Sequence, residues 1–492
     1  MRVARIGLLV GLALVVSGCG AKNQGSVPAG AEFAPASAPV YIAISTDPQG
    51  EQWKAADRLL KKFPGREKLL ASFQKDIRKE GLSWETDIKP ALPDEIHVVW
   101  IDLADNGGNV VGYAKPKDEA RFDKLLDSGK PGERQAHKKI DGWTVFADKQ
   151  ATIEKFENAR SSGDSLSGVK SFRDAMKNLP KDAAARGWVS GKAVQAEIDR
   201  RTLNNAGAQS FKQLSQTFGT LESASFSAAA EDEGVKVEAA YKATKQPKVG
   251  SFSAKLDEAL PSGALLYVSF GDLQDYLDQV LEAADKSLPD FKRQRAQIEQ
   301  ALAFSLNDDL FPLFSREGAL AVYRGGELVP NVLLVLRVPD ERKAQKVIDR
   351  LAAVAALSGS DTRTVRLHGV TAKEVVVPNA GFSVLAAVSD GKAFVTNSRK
   401  ALDDALGDSG KLADDSAYQG SREASGAPDE TVGFVYANLQ AGLPYMFDFA
   451  EMSDPSAITP DVRANVKPLE SVFLFGKKDG DRVSLSGFLT IK

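Results

Sequence analysis

The chain has 492 residues, of which 43% are apolar and 26% charged, with a formal net charge of −3. That length exceeds one ordinary domain, and the composition is that of a folded globular protein rather than a disordered or fibrous one. With no basic excess, nucleic acid is excluded as an expected partner, and the mildly acidic balance gives no electrostatic reason to lie flat on anionic lipid.

The N-terminus reads Met1-Arg2-Val3-Ala4-Arg5, then an apolar run from Ile6 to Val16, then Ser17-Gly18-Cys19. A bilayer-spanning helix needs about twenty apolar residues, so this shorter run reads as the core of an export signal. Cys19 is the only cysteine in the chain. A charged start, a short apolar run and small residues before a cysteine resemble the lipobox of bacterial lipoproteins. The resemblance implies removal of residues 1–18 and a diacylglycerol in thioether linkage to the Cys19 sulfur, palmitate being among the acyl chains that such a lipoprotein carries. An ordinary secretory signal with a chance cysteine is the alternative. Gly20, not Asp, follows the cysteine; in a double-membrane envelope of the enterobacterial type the resemblance implies the outer membrane. Residues 19–38 are small, polar and proline-containing, and read as the lipidated cysteine and a flexible tether reaching about 25 Å. The mature chain then has no free thiol and no disulfide, and a core of this size needs none.

Beyond the tether the chain repeats itself. Leu221-Glu-Ser-Ala-Ser-Phe-Ser lies 248 residues before Leu469-Glu-Ser-Val-Phe-Leu-Phe, and both lead through an acidic, glycine-containing turn into an alternating strand. Val235, Val237, Ala239 and Tyr241 share one face of the first, and Val483, Leu485, Leu489 and Ile491 one face of the second. Alternation around a tight turn is a hairpin signal. Other landmarks recur in order: Pro39–Ser45 with Ala264–Phe270, Ile96–Trp100 with Gly318–Val322, Val110–Pro116 with Leu333–Pro339, and Gly187–Ser190 with Gly433–Tyr436. These define two repeats, 38–247 and 248–492, the second with roughly twenty extra residues near Thr371 to Asp390. The fold class expected is α+β: a tandem duplication of a mostly antiparallel sheet domain with helices packed on one face. Asn331 to Val338, continuously apolar at its centre, reads as a central strand.

This order of anchor, strand, helices, hairpins and repeat, with Leu260-Pro-Ser-Gly-Ala-Leu-Leu-Tyr-Val-Ser269, resembles the bacterial domain-of-unknown-function family numbered 3352. The resemblance implies an envelope location and supplies no catalytic residues.

Gly163-Asp164-Ser165-Leu166 spells the nucleophile motif of GDSL-type esterases, and Asp94-Glu-Ile-His97 an Asp-x-x-His. The chemistry would suit acyl transfer. In that family, however, the serine follows the first strand and the Asp-x-x-His lies downstream; here a charged helical run precedes Ser165 and the histidine lies upstream. The expected reading is a loop, and no enzyme. The three histidines, His97, His137 and His368, share no ligand spacing, and the pairs Asp308-Asp309, Asp403-Asp404 and Asp414-Asp415 lack the alternating ligands and glycine of a calcium loop. Asp308 and Asp414 are better explained as helix caps. No phosphate-binding glycine pattern follows a strand. No cofactor and no metal are expected.

The function expected is a cell-envelope lipoprotein that binds or scaffolds without catalysis. Its partners would be the membrane through its acyl chains, and envelope proteins or an apolar small molecule, met in a cleft or on a long composite face of the two repeats. A carrier role is the alternative. Phe473 and Phe475 alternate where the first repeat has Ser225 and Ser227, and mark a candidate apolar groove in the second repeat; the helix containing Met446 to Met452 would form its lid or a partner surface.

Overall fold

The computed structural model describes residues 26–104, 107–128, 134–202, 219–245, 250–326, 329–377, 382–480 and 482–492. Cys19, residues 1–18 and the first part of the expected tether lie outside the described residues.

The first repeat runs β1 (Val40–Ser45), α1 (Glu51–Leu60), α2 (Arg66–Lys79), β2 (Glu95–Trp100), β3 (Val110–Ala114) and α3 (Glu119–Leu126). A hairpin of β4 (Ala136–Ile140) and β5 (Trp143–Ala147) follows, then α4 (Gln150–Arg160), α5 (Lys170–Met176), β6 (Ala185–Ser190) and α6 (Gly191–Thr202). It closes on the hairpin β7 (Leu221–Glu231) and β8 (Gly234–Ala243). After the short β9 (Phe252–Ser253) the order recurs: β10 (Leu266–Phe270), α7 (Gln274–Ser287), α8 (Pro289–Leu302), β11 (Gly318–Tyr323), β12 (Asn331–Arg337) and α9 (Glu341–Leu357). An additional hairpin, β13 (Thr362–Leu367) and β14 (Val370–Val376), precedes β15 (Ser383–Ser389) and β16 (Lys392–Thr396). Then come α10 (Arg399–Leu406), α11 (Ser416–Ser425), β17 (Glu430–Thr431), which pairs with β9, and β18 (Gly433–Asn438). Helices α12 (Leu439–Ser453) and α13 (Pro460–Val466) lead to the closing hairpin β19 (Leu469–Asp479) and β20 (Arg482–Ile491). The extra residues of the second repeat are therefore β13, β14 and a longer α9, whereas 383–389 answers to β4.

Several helices start on carboxylate or hydroxyl caps, and α8 and α13 start on a proline, Pro289 and Pro460. Asp118 accepts from the Arg121 amide at α3, and Asp340 from the Arg342 and Lys343 amides at α9. Asp415, one residue past Asp414, caps α11, while Ser305 receives the Asp308 amide. A side-chain oxygen here satisfies amides that the first helical turn leaves without partners.

Among the described residues, eighteen strands form one antiparallel sheet in the order β4-β5-β3-β2-β1-β6-β7-β8-β20-β19-β18-β10-β11-β12-β16-β15-β14-β13. One face carries the main core of each repeat. In the first, Tyr41, Val99, Tyr113 and Trp188 pack under Ile153 and Phe156 of α4 and Phe172 and Met176 of α5. In the second, Tyr267, Leu333, Tyr436 and Phe473 pack under Leu402 of α10 and Tyr418 of α11. Toward both ends the opposite face is covered as well, by Phe122 and Leu126 of α3 and by Ala344 and Val347 of α9.

The flexible-tether reading of residues up to 38 needs correction. Phe33 is 4% exposed, stacked on Trp143 at 5.3 Å and edge-on to Tyr113 at 5.1 Å, with Ala31 and Ala34 buried beside it. Tyr113 donates to the Gly30 carbonyl at 2.7 Å, and Arg186 to the Ser26 carbonyl at 3.1 Å. A Cβ on Gly30 would fall 2.4 Å from the His97 ring, so glycine permits this approach. The segment from Ser26 thus belongs to the first repeat, as Leu256 and Leu260 belong to the second. Its alanines, glycine and prolines hide the one residue, Phe33, whose burial holds it down.

Candidate binding trough at the seam of the repeats

The two repeats meet strand to strand. β8 and β20 pair antiparallel from Lys242 with Arg482 to Gly234 with Thr490. Glu238 faces Ser486, the residue 248 positions after it, so the seam is a pseudo-two-fold axis within one chain. The β7–β8 and β19–β20 hairpins even share their irregularity, a register shift between Leu221 and Ser223 and between Leu469 and Ser471. An isologous pairing of this kind gives a self-complementary edge a partner and removes two exposed edges.

Strand alternation assigns each seam residue to a face. Lys236, Glu238 and Ser486 point to one side, where Asn178, Pro428, Glu430, Lys477 and Arg482 enclose a polar cleft of about 460 Å³. Burial pushes the Arg482 guanidinium pKa down, against the nearby carboxylates of Asp479 and Glu238. Val237, Ala239, Tyr241, Val483 and Leu485 point to the other side. There a trough of about 740 Å³ opens across β7, β8, β20, β19, β18 and β10, lined by Phe226, Tyr241, Val435, Leu474, Val483 and Leu485 among others. Tyr241 is 37% exposed and Leu485 49%. Ser225, Ser269 and Ser484, which border it, direct their side chains to the opposite face by the same alternation. The floor is kept low by glycine: a Cβ on Gly487 would meet Leu474 Cδ2 at 2.4 Å, and one on Gly187 the Phe226 ring at 2.2 Å. These larger side chains lie flat over their glycine neighbours instead of standing into the trough.

The groove expected at Phe473 and Phe475 is met only in part: Phe475 borders the trough, and Phe473 does not line it. Both belong to β19, but they face the core and are 0% and 2% exposed. Phe473 stacks on Phe434 at 5.0 Å and approaches Tyr418 at 6.2 Å. Leu474, between them, lines the trough. Phe473 and Phe475 differ from Ser225 and Ser227 by joining a ring cluster with Phe434 and Tyr436 of β18 and Tyr418 of α11. The signal for the open face is present in the alternation of Val237 and Tyr241 with Val483 and Leu485; sequence does not show that these two faces join. Of the expected lid, Met446, Phe449 and Met452 are 63%, 56% and 57% exposed on α12, and none of them lines the trough.

The esterase-like letters are dispersed. Ser165 Oγ shares a hydrogen bond with Ser167 Oγ at 2.8 Å, and Asp94 pairs with Lys117 at 2.5 Å. His97 is buried, with Nδ1 2.9 Å from the Tyr41 hydroxyl and Nε2 3.6 Å from Glu95. Burial, reinforced by Arg186, pushes the His97 pKa down to about 3. The unfolded imidazole titrates near 6.5, so between about pH 6.5 and 3 the unfolded state binds the extra proton and stability falls with falling pH. Each unit in that window is worth up to about 1.4 kcal/mol. A His97→Gln variant is expected to show a flatter loss of stability from pH 6.5 downward, measured by urea midpoints; parallel profiles would contradict the assignment.

The profile of the family described as "Protein of unknown function (DUF3352)" matches residues 124–474. The chain belongs to this family. The match runs from α3 through β19 and so includes β8 and most of both repeats. Among solved structures, crystal form IV of TP0453 is similar at 12% identity over 49% of this chain and 94% of that one, with a TM-score of 0.23. Form III is similar at 12% over 49% and 95%, with a TM-score of 0.24, and form I at 11% over 48% and 78%, with 0.24. No curated protein matches. Within the family's matched span, α12 and every other described helix are too short or too polar to cross a membrane.

Proposed function

We propose that this member of the family is a cell-envelope lipoprotein, held to the membrane by acyl chains on Cys19, that acts by binding at the seam of its repeats and performs no chemistry. The observation that carries the reading is the trough: a concave, apolar, solvent-open surface built jointly by both repeats, within the 300–1,000 Å³ range of ligand sites. The scattering of Ser165, His97 and Asp94 into separate local hydrogen bonds supports binding over hydrolysis. Because Arg186 holds the Ser26 carbonyl to the first repeat, the seven backbone steps from Cys19 to Ser26 span at most about 25 Å. The body therefore stays close to the membrane whatever path those residues take.

The reading is tested in intact cells with a photo-crosslinking amino acid at position 485, against a control at Leu357, which is 87% exposed at the end of α9. A covalent adduct from 485 and none from 357 is expected. Equal capture from both, or none from either, would refute a seam site.

A further inference from the structure

The pseudo-two-fold axis says what normally fills the trough. Applied to the seam, it exchanges Val235 with Val483 and Leu489 with Tyr241. Val483 and Tyr241 line the trough, whereas Val235 and Leu489 pack against Leu59, Phe63 and Ala230. At that end of the seam, then, the sheet is covered by α1 and the turn after it. Polar contacts hold the helix down: Arg58 to Asp232 at 2.7 Å, and Lys62 Nζ to the carbonyls of Asp232 at 3.1 Å and Ile491 at 2.6 Å.

Among the described residues the second repeat shows no such contacts. The counterpart of Asp232, 248 positions on, is Gly480. The counterpart helix, α7, has Ala283-Ala-Asp285-Lys286 where α1 has Ala55-Ala-Asp57-Arg58, but Lys286 pairs with Glu282 of its own helix at 2.5 Å and two further acids are engaged away from the seam. Asp285 pairs with Arg295 of α8 at 2.5 Å, Arg295 also pairs with Glu299 at 2.7 Å, and Asp278 accepts from Asn307 at 2.7 Å. α7 is thereby bound to α8 and the turn after it. The trough is the space that a helix fills in the first repeat and leaves open in the second.

We propose that the acyl chains of a membrane glycerolipid occupy this space. The inference rests on the seam being the binding site. A helix is about 10–12 Å across, so the space is wider than one hydrocarbon chain, whose contacts need only about 4 Å. Six adjacent strands line it, which is about 24 Å across at the usual inter-strand spacing. An acyl chain is about half the roughly 30 Å hydrocarbon thickness of a bilayer, so it fits within that length. Among the described residues no charged side chain lines the trough, and its serines face away. A peptide helix seated here would find no counterpart of the Asp232 anchor, whereas hydrocarbon requires none. The openness of the trough leaves a polar headgroup in water.

The experiment is native mass spectrometry of the detergent-extracted full chain mixed with vesicles of dioleoylphosphatidylglycerol, counting noncovalently bound lipid. Wild type and Leu357→Glu are expected to retain lipid. Val483→Glu and Leu485→Glu are expected to lose it at least tenfold, with urea midpoints confirming that they remain folded. Retention by all four chains would place the lipid elsewhere and overturn the proposal. So would an adduct from position 485 that joins it to α7 or to a protein, with no lipid bound; that outcome would leave the seam site standing and refute only its acyl occupant. If position 485 captures nothing and no lipid is retained, both readings fall.

Discussion

Replacing Phe473 by alanine is expected to cost about 3–5 kcal/mol of stability, the range for truncating a fully buried aromatic. Its ring is 0% exposed and sits among Phe434, Tyr418, Tyr436 and Phe475, so the change leaves a cavity that the sheet and α11 cannot close. Leu485→Ala removes a side chain that is half exposed in the trough, and is expected to cost less than about 1 kcal/mol. Urea midpoints at unchanged slope report the difference. Equal effects would mean that the faces of β19 and β20 have been assigned the wrong way round.

Cys19→Ala is expected to move the protein from the membrane to the soluble fraction and to abolish fatty-acid labelling. The reason is additive burial of hydrocarbon: each methylene contributes about 0.8 kcal/mol, one chain anchors only marginally, and two or three hold stably. No described helix is long and apolar enough to replace that anchor. Fractionation after metabolic labelling with palmitate checks the prediction. A Cys19→Ala variant that stays membrane-bound and unprocessed would show that the lipobox resemblance is misleading and that the signal is of another kind.

Period-two patterns in the sequence are sufficient to give the duplication, the closing hairpins and the antiparallel sheet, because each strand's apolar set declares its own faces. The partner of an edge strand is not declared. Nothing in the local pattern of Val235 to Tyr241 states that it pairs with Val483 to Ile491 across the axis, and the trough exists only because it does. Phe473 and Phe475 draw attention because they are large and differ from their counterparts; size in a strand signals burial at least as often as a site. Phe33 escapes notice for the opposite reason, one aromatic ring among small residues. The open state of the second repeat has a legible cause once the seam is known: Gly480 stands where the first repeat has Asp232, and Lys286, at the place of Arg58, pairs with Glu282 of its own helix.

Adjacent residues on β20 provide the sharpest test of a ligand site on one face of the seam. In a Cys19→Ala chain, single cysteines at Val483→Cys and at Ser484→Cys would report the trough and the opposite polar cleft respectively. Maleimide labelling before and after exposure to a membrane lipid extract should show position 483 shielded at least tenfold and position 484 unchanged. Shielding of both positions, or of neither, would contradict the assignment of the trough as the binding surface.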